Sequence, residues 1–267
     1  MKQMKKITKF IINLTSVGSI VLIATLSPSQ FAIMGQPTPK VDGKPITQSG
    51  GPRFSQPMED NLSPNLGSPS QPTTRGGCTI NKDQNNKDLI PLLPQSKIGQ
   101  TISEYPIFFL YLPETEAKVA EFVLQDDKGK QIYQTTLKLK KSSGVIGVSI
   151  PTNQNISPLQ IEKNYTWSVS LICDPDDRSK DVFEKGTVRR VEVSADIRRQ
   201  LQKADPRLKA VIYAQTGIWQ DALSTLVAAR RANPNDPDLA ADWKILLDSV
   251  NLNEIVPEPI APIDPKP

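Results

Sequence analysis

The stretch Tyr165–Asp181, YTWSVSLICDPDDRSKD, decides the fold. One set of alternate side chains is aromatic or aliphatic, and the set between them is mostly hydroxyl-bearing. A period of two residues is the pattern of a β-strand with one face in a core. The apolar face comprises Tyr165, Trp167, Val169, Leu171 and Cys173. The stretch therefore predicts a long buried strand that ends at a cysteine and an acidic turn.

Six further segments have the short, β-branched or aromatic pattern of strands. They are Leu89–Leu93, Ile107–Leu112, Val119–Gln125, Gln131–Leu139, Val145–Ile150 and Lys185–Val193. The turn DDKG at 126–129 joins two of them as a hairpin. Leu159 and Asn164, which precede Tyr165, are typical of a tyrosine corner. We therefore expect an antiparallel β-sandwich of immunoglobulin-like type over residues 78–193.

From Ser194 the pattern changes to helical, and residues 194–250 are predicted to form a small all-α module. Ser194 is a helix N-cap residue, and Asp205-Pro206 and Asp236-Pro237 are typical helix starts. Two of the predicted helices are similar to a single tetratricopeptide repeat, and eight residues fall at that motif's spacing. These are Ala210, Tyr213, Gly217, Trp219, Ala222, Leu226, Ala229 and Pro234. A single repeat does not stand alone, so we expect this module to pack against the sandwich and the fold class to be α+β.

The two ends of the chain differ in composition from its centre. Residues 1–29 carry lysines and then an apolar run, as a secretory signal peptide does. The alternative is an uncleaved anchor, for which the run is short. Residues 30–77 hold eight prolines and no apolar periodicity, so we expect a disordered linker, with a proline-rich protein ligand as the alternative. The proline-rich tail over 251–267 is also predicted to be disordered.

Charge and composition exclude several classes of function. The 267 residues have a net charge of +4, but without the four lysines of the signal segment 28 basic and 28 acidic residues remain. A neutral chain does not favour nucleic acid or an anionic membrane surface as a partner. The sequence contains no histidine, which excludes histidine-based acid/base catalysis and ordinary catalytic zinc sites.

Cys78 and Cys173 are the only cysteines, and in an exported chain they are expected to form one disulfide. A redox pair or a free thiol is the alternative, but the spacing is unlike C-x-x-C. The bridge would tie the end of the linker to the predicted long strand.

Two clusters of side chains are candidate binding sites. A cluster of carboxylates with the oxygen chemistry of Ca²⁺ is formed by Asp174, Asp176, Asp177 and Asp181. The alternative is a solvated turn whose charge Arg178 and Lys180 neutralise. Three aromatic residues at helical spacing, either core residues or a groove for a partner, are Tyr213, Trp219 and Trp243.

Three stretches together resemble the cyanobacterial family known as "domain of unknown function 928". They are FFLYLPETEAKVAEFVLQDDKGKQIYQTTL at 108–137, YTWSVSLICDPDDRSKDVFEKGTVRRVE at 165–192, and the segment 204–255 with GIWQDALSTL. The resemblance implies export and provides no catalytic residues.

We therefore expect a periplasmic or extracellular binding or structural protein rather than an enzyme. We expect it to need no cofactor, with Ca²⁺ at the acidic loop as the alternative. Its partner would be a protein or an envelope component, with no membrane contact beyond the signal segment. The alternatives are a hydrolase of envelope glycans with paired carboxylates, and a calcium-dependent adhesion protein built on the acidic loop.

Overall fold

The computed structural model of this chain describes residues 50–57, 78, 87–140, 142–152 and 156–264. The predicted signal segment at 1–29 and most of the predicted linker lie outside these residues. Nine strands and four α-helices occur within the described residues. The chain is therefore a mixed α+β protein, as predicted.

The strands form one four-stranded and one five-stranded sheet. They are β1 (Ile90–Pro91), β2 (Ile98–Thr101), β3 (Ile107–Leu112), β4 (Val119–Gln125), β5 (Gln131–Lys138), β6 (Gly144–Ser149), β7 (Asn164–Ile172), β8 (Val182–Arg190) and β9 (Ile260–Asp264). The smaller sheet has the order β1-β3-β6-β9 and the larger one β2-β8-β7-β4-β5. All seven predicted strands are present, and β3 and β4 have the predicted bounds.

The prediction of a wholly antiparallel architecture is wrong at two sheet edges. β2 runs parallel to β8, with Ile98 opposite Thr187, and β9 runs parallel to β6, with Ile260 opposite Val145. The sequence did not predict either strand, because neither has the alternating pattern. β2 is buried at all four positions, and β9 contains a proline, which suits an edge strand. The remaining strand pairs are antiparallel.

The long strand predicted from Tyr165 onward is β7, the middle strand of the larger sheet. Its buried face consists of Tyr165, Trp167, Val169 and Leu171. The ring centroid of Phe108, from β3 of the other sheet, lies 5.4 Å from that of Trp167 and 5.1 Å from that of Phe122 in β4. The two sheets therefore face each other across an aromatic core.

Four helices lie between β8 and β9 in the chain, and the three predicted helix starts are confirmed. They are α1 (Ala195–Lys203), α2 (Pro206–Gln215), α3 (Trp219–Ala232) and α4 (Pro237–Asp248). The side chains of Ser194, Asp205 and Asp236 cap α1, α2 and α4 by accepting hydrogen bonds from backbone N–H groups. Gly217, between α2 and α3, has a φ of 79°, a conformation that glycine adopts without steric cost.

The helices pack directly on the sheets, as expected for a unit too small to stand alone. Trp219 at the start of α3 is fully buried, and its indole N–H donates to the carbonyl oxygen of Leu92 at 2.8 Å. The Nε atom of Arg207 lies 2.7 Å from the buried carboxylate of Asp242, which joins α2 to α4. One continuous hydrophobic cluster contains residues of both sheets and of α2, α3 and α4.

Residues 50–57 fall inside the predicted disordered linker, yet they lie against the helices. The Phe54 ring meets the Trp219 ring edge-on, with 5.1 Å between centroids. The Ser55 N–H donates to the carbonyl oxygen of Ala214 at 3.0 Å. The sequence did not predict the contact between residues 50–57 and the helices, because one aromatic residue among many prolines does not produce the periodic pattern of a helix or a strand. The prediction of disorder is therefore wrong for these eight residues.

The predicted disordered tail also differs from the structure over most of its length. Ile255 lies in a short 3₁₀ turn after α4 and is fully buried. β9 then joins the smaller sheet beside β6. The apolar residues between the prolines supply the burial that offsets the entropy of ordering.

Replacing Phe54 with alanine is expected to lower the free energy of unfolding by about 1–2 kcal/mol, since a partly buried aromatic ring is lost from the core. Urea unfolding would measure the change, with Arg53→Ala, at an exposed neighbouring position, as the control. Amide exchange at Ser55 should accelerate in the Phe54 variant alone. Equal stability of the two variants would contradict packing of residues 50–57 on the helices.

Candidate functional site: a cleft between the sheets and the helices

The predicted disulfide between Cys78 and Cys173 is confirmed. The two Cα atoms are 5.1 Å apart, and no free cysteine remains in the described chain. Cys78 is buried, and its carbonyl oxygen accepts a hydrogen bond from the Glu116 N–H at 2.9 Å. The bridge holds the segment at Cys78 against the end of β7.

The acidic loop does not bring its carboxylates together as a calcium site. The predicted ligands were Asp174, Asp176, Asp177 and Asp181. The Nζ atom of Lys180 lies 2.8 Å from the carboxylate of Asp174 and 3.3 Å from that of Asp177. The Nε atom of Arg178 lies 2.6 Å from the carboxylate of Asp181. Local cations therefore neutralise this loop, and among the described residues no acidic or cysteine cluster could hold a metal ion.

The same ion pairs affect the acidity of the loop. The hydrogen bond from Lys180 lowers the pKa of Asp174, and hydrogen bonds from Ser179 and then Lys180 lower the pKa of Asp177. These exposed groups are charged at neutral pH and mutually compensated, which is the arrangement of a solvated turn.

The three aromatic residues predicted as partner contacts do not form an exposed surface. Trp219 and Trp243 are completely buried, so neither can contact a partner, and this interpretation was wrong for both. Arg230 stacks over the Trp243 ring at 5.3 Å. Tyr213 is half-buried against the core, and this burial raises its pKa. The simpler interpretation of the tryptophans as core residues describes the structure.

A large concavity lies where the sheets meet the helices, and we call it the junction cleft. Its volume is about 800 Å³, within the range of ligand sites in proteins. It is lined by residues from 87–97 around β1, by Glu184 of β8 and by residues from 250–254 after α4. Its walls combine prolines and aliphatic side chains with charged groups, so the cleft offers both apolar contact and polar recognition.

Both lysines that line the junction cleft form ion pairs. Lys87 forms an ion pair with Glu258, and its Nζ atom lies 5.5 Å from the centroid of the Tyr111 ring. The hydrogen bond to Glu258 raises the pKa of Lys87, so this side chain is a fixed cation at neutral pH. Lys97 lies 3.3 Å from the carboxylate of Glu184 on the opposite part of the wall.

Two residues of the cleft wall have left-handed backbone conformations. Asn251, at φ 63°, follows α4, and the N–H of the next residue, Leu252, donates to the Leu247 carbonyl at 2.9 Å as in a Schellman motif. Lys97, at φ 57°, closes a turn in which its N–H donates to the Pro94 carbonyl at 2.8 Å. Lysine is not a residue that favours this region. The lysine that pairs with Glu184 therefore has a backbone conformation that is unfavourable for its residue type.

Sequence reasoning missed the junction cleft because its residues come from three separated segments without a shared motif. Asn251 after a helical pattern was a usable signal for a helix end, but it does not indicate a cleft. Pro94 similarly indicates a loop, but not that the loop lines a cleft. They come together only in the folded chain, where the sheets and the helices share one hydrophobic cluster.

Within the described ranges, every helix is too short or too polar to span a bilayer. Fold and site together define a disulfide-bridged α+β protein with two facing sheets, four helices and a cleft at their junction. The chain belongs to the family described as Domain of Unknown Function (DUF928), whose sequence profile matches residues 70–260. A comparison with curated proteins returned no match.

Proposed function

We propose that this protein is an exported, non-enzymatic binding protein of the periplasm or cell surface, and that the junction cleft is its binding site. The cleft itself is the observation that supports this proposal. It is concave, about 800 Å³ in volume, and lined by both apolar and charged residues. Its partner would be a protein segment or another envelope component.

The chemistry of the cleft favours binding over catalysis. Lys87 and Lys97 each face a carboxylate, so their charges are compensated instead of being poised for proton transfer. No histidine is available anywhere in the chain to act as a general base. Compensated charges of both signs suit a polar partner that replaces solvent at the rim of the cleft.

Export is supported by the signal-like residues 1–29 and by the disulfide. Disulfides persist in oxidising compartments and are rare in the cytosol. The mature chain has no net charge to draw it to nucleic acid or to an anionic membrane.

A photoreactive amino acid at Gln95 tests the binding site directly. Gln95 is exposed and lines the cleft, whereas Gln202 is exposed on α1 and provides the matched control. Irradiation in intact cells should give one stoichiometric adduct from position 95 and none from position 202. Equal labelling at both positions, or none at position 95, would contradict the proposal.

The alternative function, hydrolysis of envelope glycans, has one specific observation in its favour. Asp88, Glu184 and Glu254 line the same cleft. Glycoside hydrolysis needs two carboxyl groups about 5–9.5 Å apart. Release of sugar from a cell-wall glycan by the purified protein, abolished by Glu184→Gln, would establish the hydrolase and displace the binding proposal.

We also infer that the two facing sheets form an immunoglobulin-like sandwich, with a tyrosine corner as support. The Tyr165 hydroxyl accepts a hydrogen bond from the Gln160 N–H at 2.8 Å, five residues upstream. The helix pair α2–α3 is similarly proposed to be tetratricopeptide-like. Its support is the burial of Ala210, Ala222 and Leu226 at that motif's small and apolar positions.

A further inference from the structure

A second, apolar pocket lies between the free edges of the two sheets, and we call it the edge pocket. β5 is the last strand of the larger sheet and β9 the last strand of the smaller one. The space between them measures about 300 Å³. Leu112 and Leu137 are buried at the pocket, whereas Leu139 and Ile146 line it and are only partly buried. Protein cores have few voids larger than a water molecule, so this space is open for an apolar group.

The mouth of the edge pocket is positively charged. Lys138 and Lys140 line it, and both are exposed. Neither makes an ion pair or a side-chain hydrogen bond within the part of the chain that the structure describes. The described lining includes the hydroxyl groups of Ser142 and Ser143 but no carboxylate. An aliphatic interior with free cations at its entrance complements an aliphatic chain that carries an acidic head group.

We propose that the edge pocket binds a single-chain anionic amphiphile, chemically a fatty acid. The chain lies between the sheet edges, and the carboxylate pairs with Lys138 and Lys140. A methylene group occupies about the volume of a water molecule in the liquid, about 30 Å³. The pocket therefore holds about ten carbons. This site is separate from the junction cleft, and the proposal does not depend on the function proposed for that cleft.

Titration calorimetry of the disulfide-intact protein with decanoate, below its micellar concentration, tests the proposal. One molecule is expected to bind per chain. Each buried methylene contributes about fourfold in affinity, so hexanoate should bind about 200-fold more weakly. Decanol, with the same chain and no charge, should bind about tenfold more weakly.

Two variants separate the two halves of the site. Lys138→Gln combined with Lys140→Gln should weaken decanoate binding about tenfold and leave decanol binding unchanged. The control is Lys128→Gln, an exposed lysine at the other end of the β4–β5 hairpin that does not line the edge pocket. Ala261→Leu places a larger side chain in the pocket and should abolish binding of both ligands. The lysine variants change only exposed side chains, so they remain informative if Ala261→Leu misfolds.

Three results would overturn the proposal. The first is an absence of decanoate binding, or an affinity that does not depend on chain length. The second is binding to phosphatidylglycerol vesicles without binding of decanoate, which would assign the lysines to a membrane surface. The third is a dimer in sedimentation experiments that Ala261→Arg dissociates and that binds no decanoate, which would assign the pocket to a second copy of the chain.

Discussion

Replacing Cys78 and Cys173 together with alanine is expected to lower the free energy of unfolding by about 2–5 kcal/mol. The two residues are 95 positions apart in the sequence, so the bridge closes a long loop. In the chain-entropy model a loop of about 100 residues contributes about 4.7 kcal/mol, and measured bridges often contribute less. Changing both residues leaves no unpaired thiol to form new bridges.

Urea unfolding of the double variant and of the reduced wild-type protein would measure the effect. The two should agree, since both lack the same covalent constraint. Hydrogen exchange at the Glu116 N–H, which donates to the Cys78 carbonyl oxygen, should also accelerate, because the bridge joins the segment at Cys78 to the end of β7. A loss of stability below about 0.5 kcal/mol would mean that the hydrogen bond between Glu116 and the Cys78 carbonyl, not the bridge, holds this segment.

The sequence predicted the interior of the fold better than its edges. β7 and the helices were predictable because burial imposes a period of two on a half-buried strand and capping residues mark helix ends. β2 and β9 were not predictable. β2 is buried at every position and therefore has no alternating pattern, and β9 contains a proline, which is more typical of a loop. Their parallel pairing depends on contacts with distant segments.

The candidate sites were less predictable for a related reason. Trp243 and Trp219 are large aromatic residues, and the sequence does not distinguish a core position from an exposed one at the same helical spacing. The junction cleft and the edge pocket contain ordinary residues whose significance depends on which strand edges meet. By contrast, the pairing of Cys78 with Cys173 was predictable because no other cysteine was available.

The substitution Asp221→Asn is expected to stabilise the protein at neutral pH by up to about 3 kcal/mol. Asp221 lies in the first turn of α3, and its Oδ2 atom accepts hydrogen bonds from the Thr101 hydroxyl at 2.7 Å and the Ile102 N–H at 3.1 Å. The residue as a whole is only partly buried, but its carboxyl group is enclosed at the junction of α3 with β2. Burial raises the pKa of this carboxyl group to about 6, although both hydrogen bonds oppose the shift.

The sign of the pH dependence follows from that shift. A carboxyl group with a folded-state pKa of about 6 and an ordinary value of 3.8 binds its proton more tightly in the folded state. Its stabilising contribution is complete below about pH 4, declines as the pH rises through about 6, and is absent above that. Each pKa unit corresponds to about 1.4 kcal/mol, so the wild-type protein loses up to about 3 kcal/mol over this window. Tyr213, whose pKa the carboxylate raises further, remains neutral throughout.

Urea unfolding of wild-type and Asp221→Asn protein from pH 4 to pH 8 separates this effect from general acid sensitivity. The amide oxygen of asparagine can accept both hydrogen bonds without a charge. The two proteins should therefore have similar stability at pH 4, diverge as the pH rises from about 4 to about 6, and differ by a constant amount above that. Asp221→Leu is the matched control, since it also removes the charge but leaves the Thr101 hydroxyl and the Ile102 N–H without an acceptor, and it should be less stable than Asp221→Asn at every pH. A constant difference between wild type and Asp221→Asn across the range would mean that the carboxyl group titrates normally. Divergence in the predicted window would show that the contact between α3 and β2 weakens as the pH rises toward neutrality. The reason is that the cost of desolvating the charged carboxylate exceeds the stabilisation from its two hydrogen bonds and from the helix N-terminus.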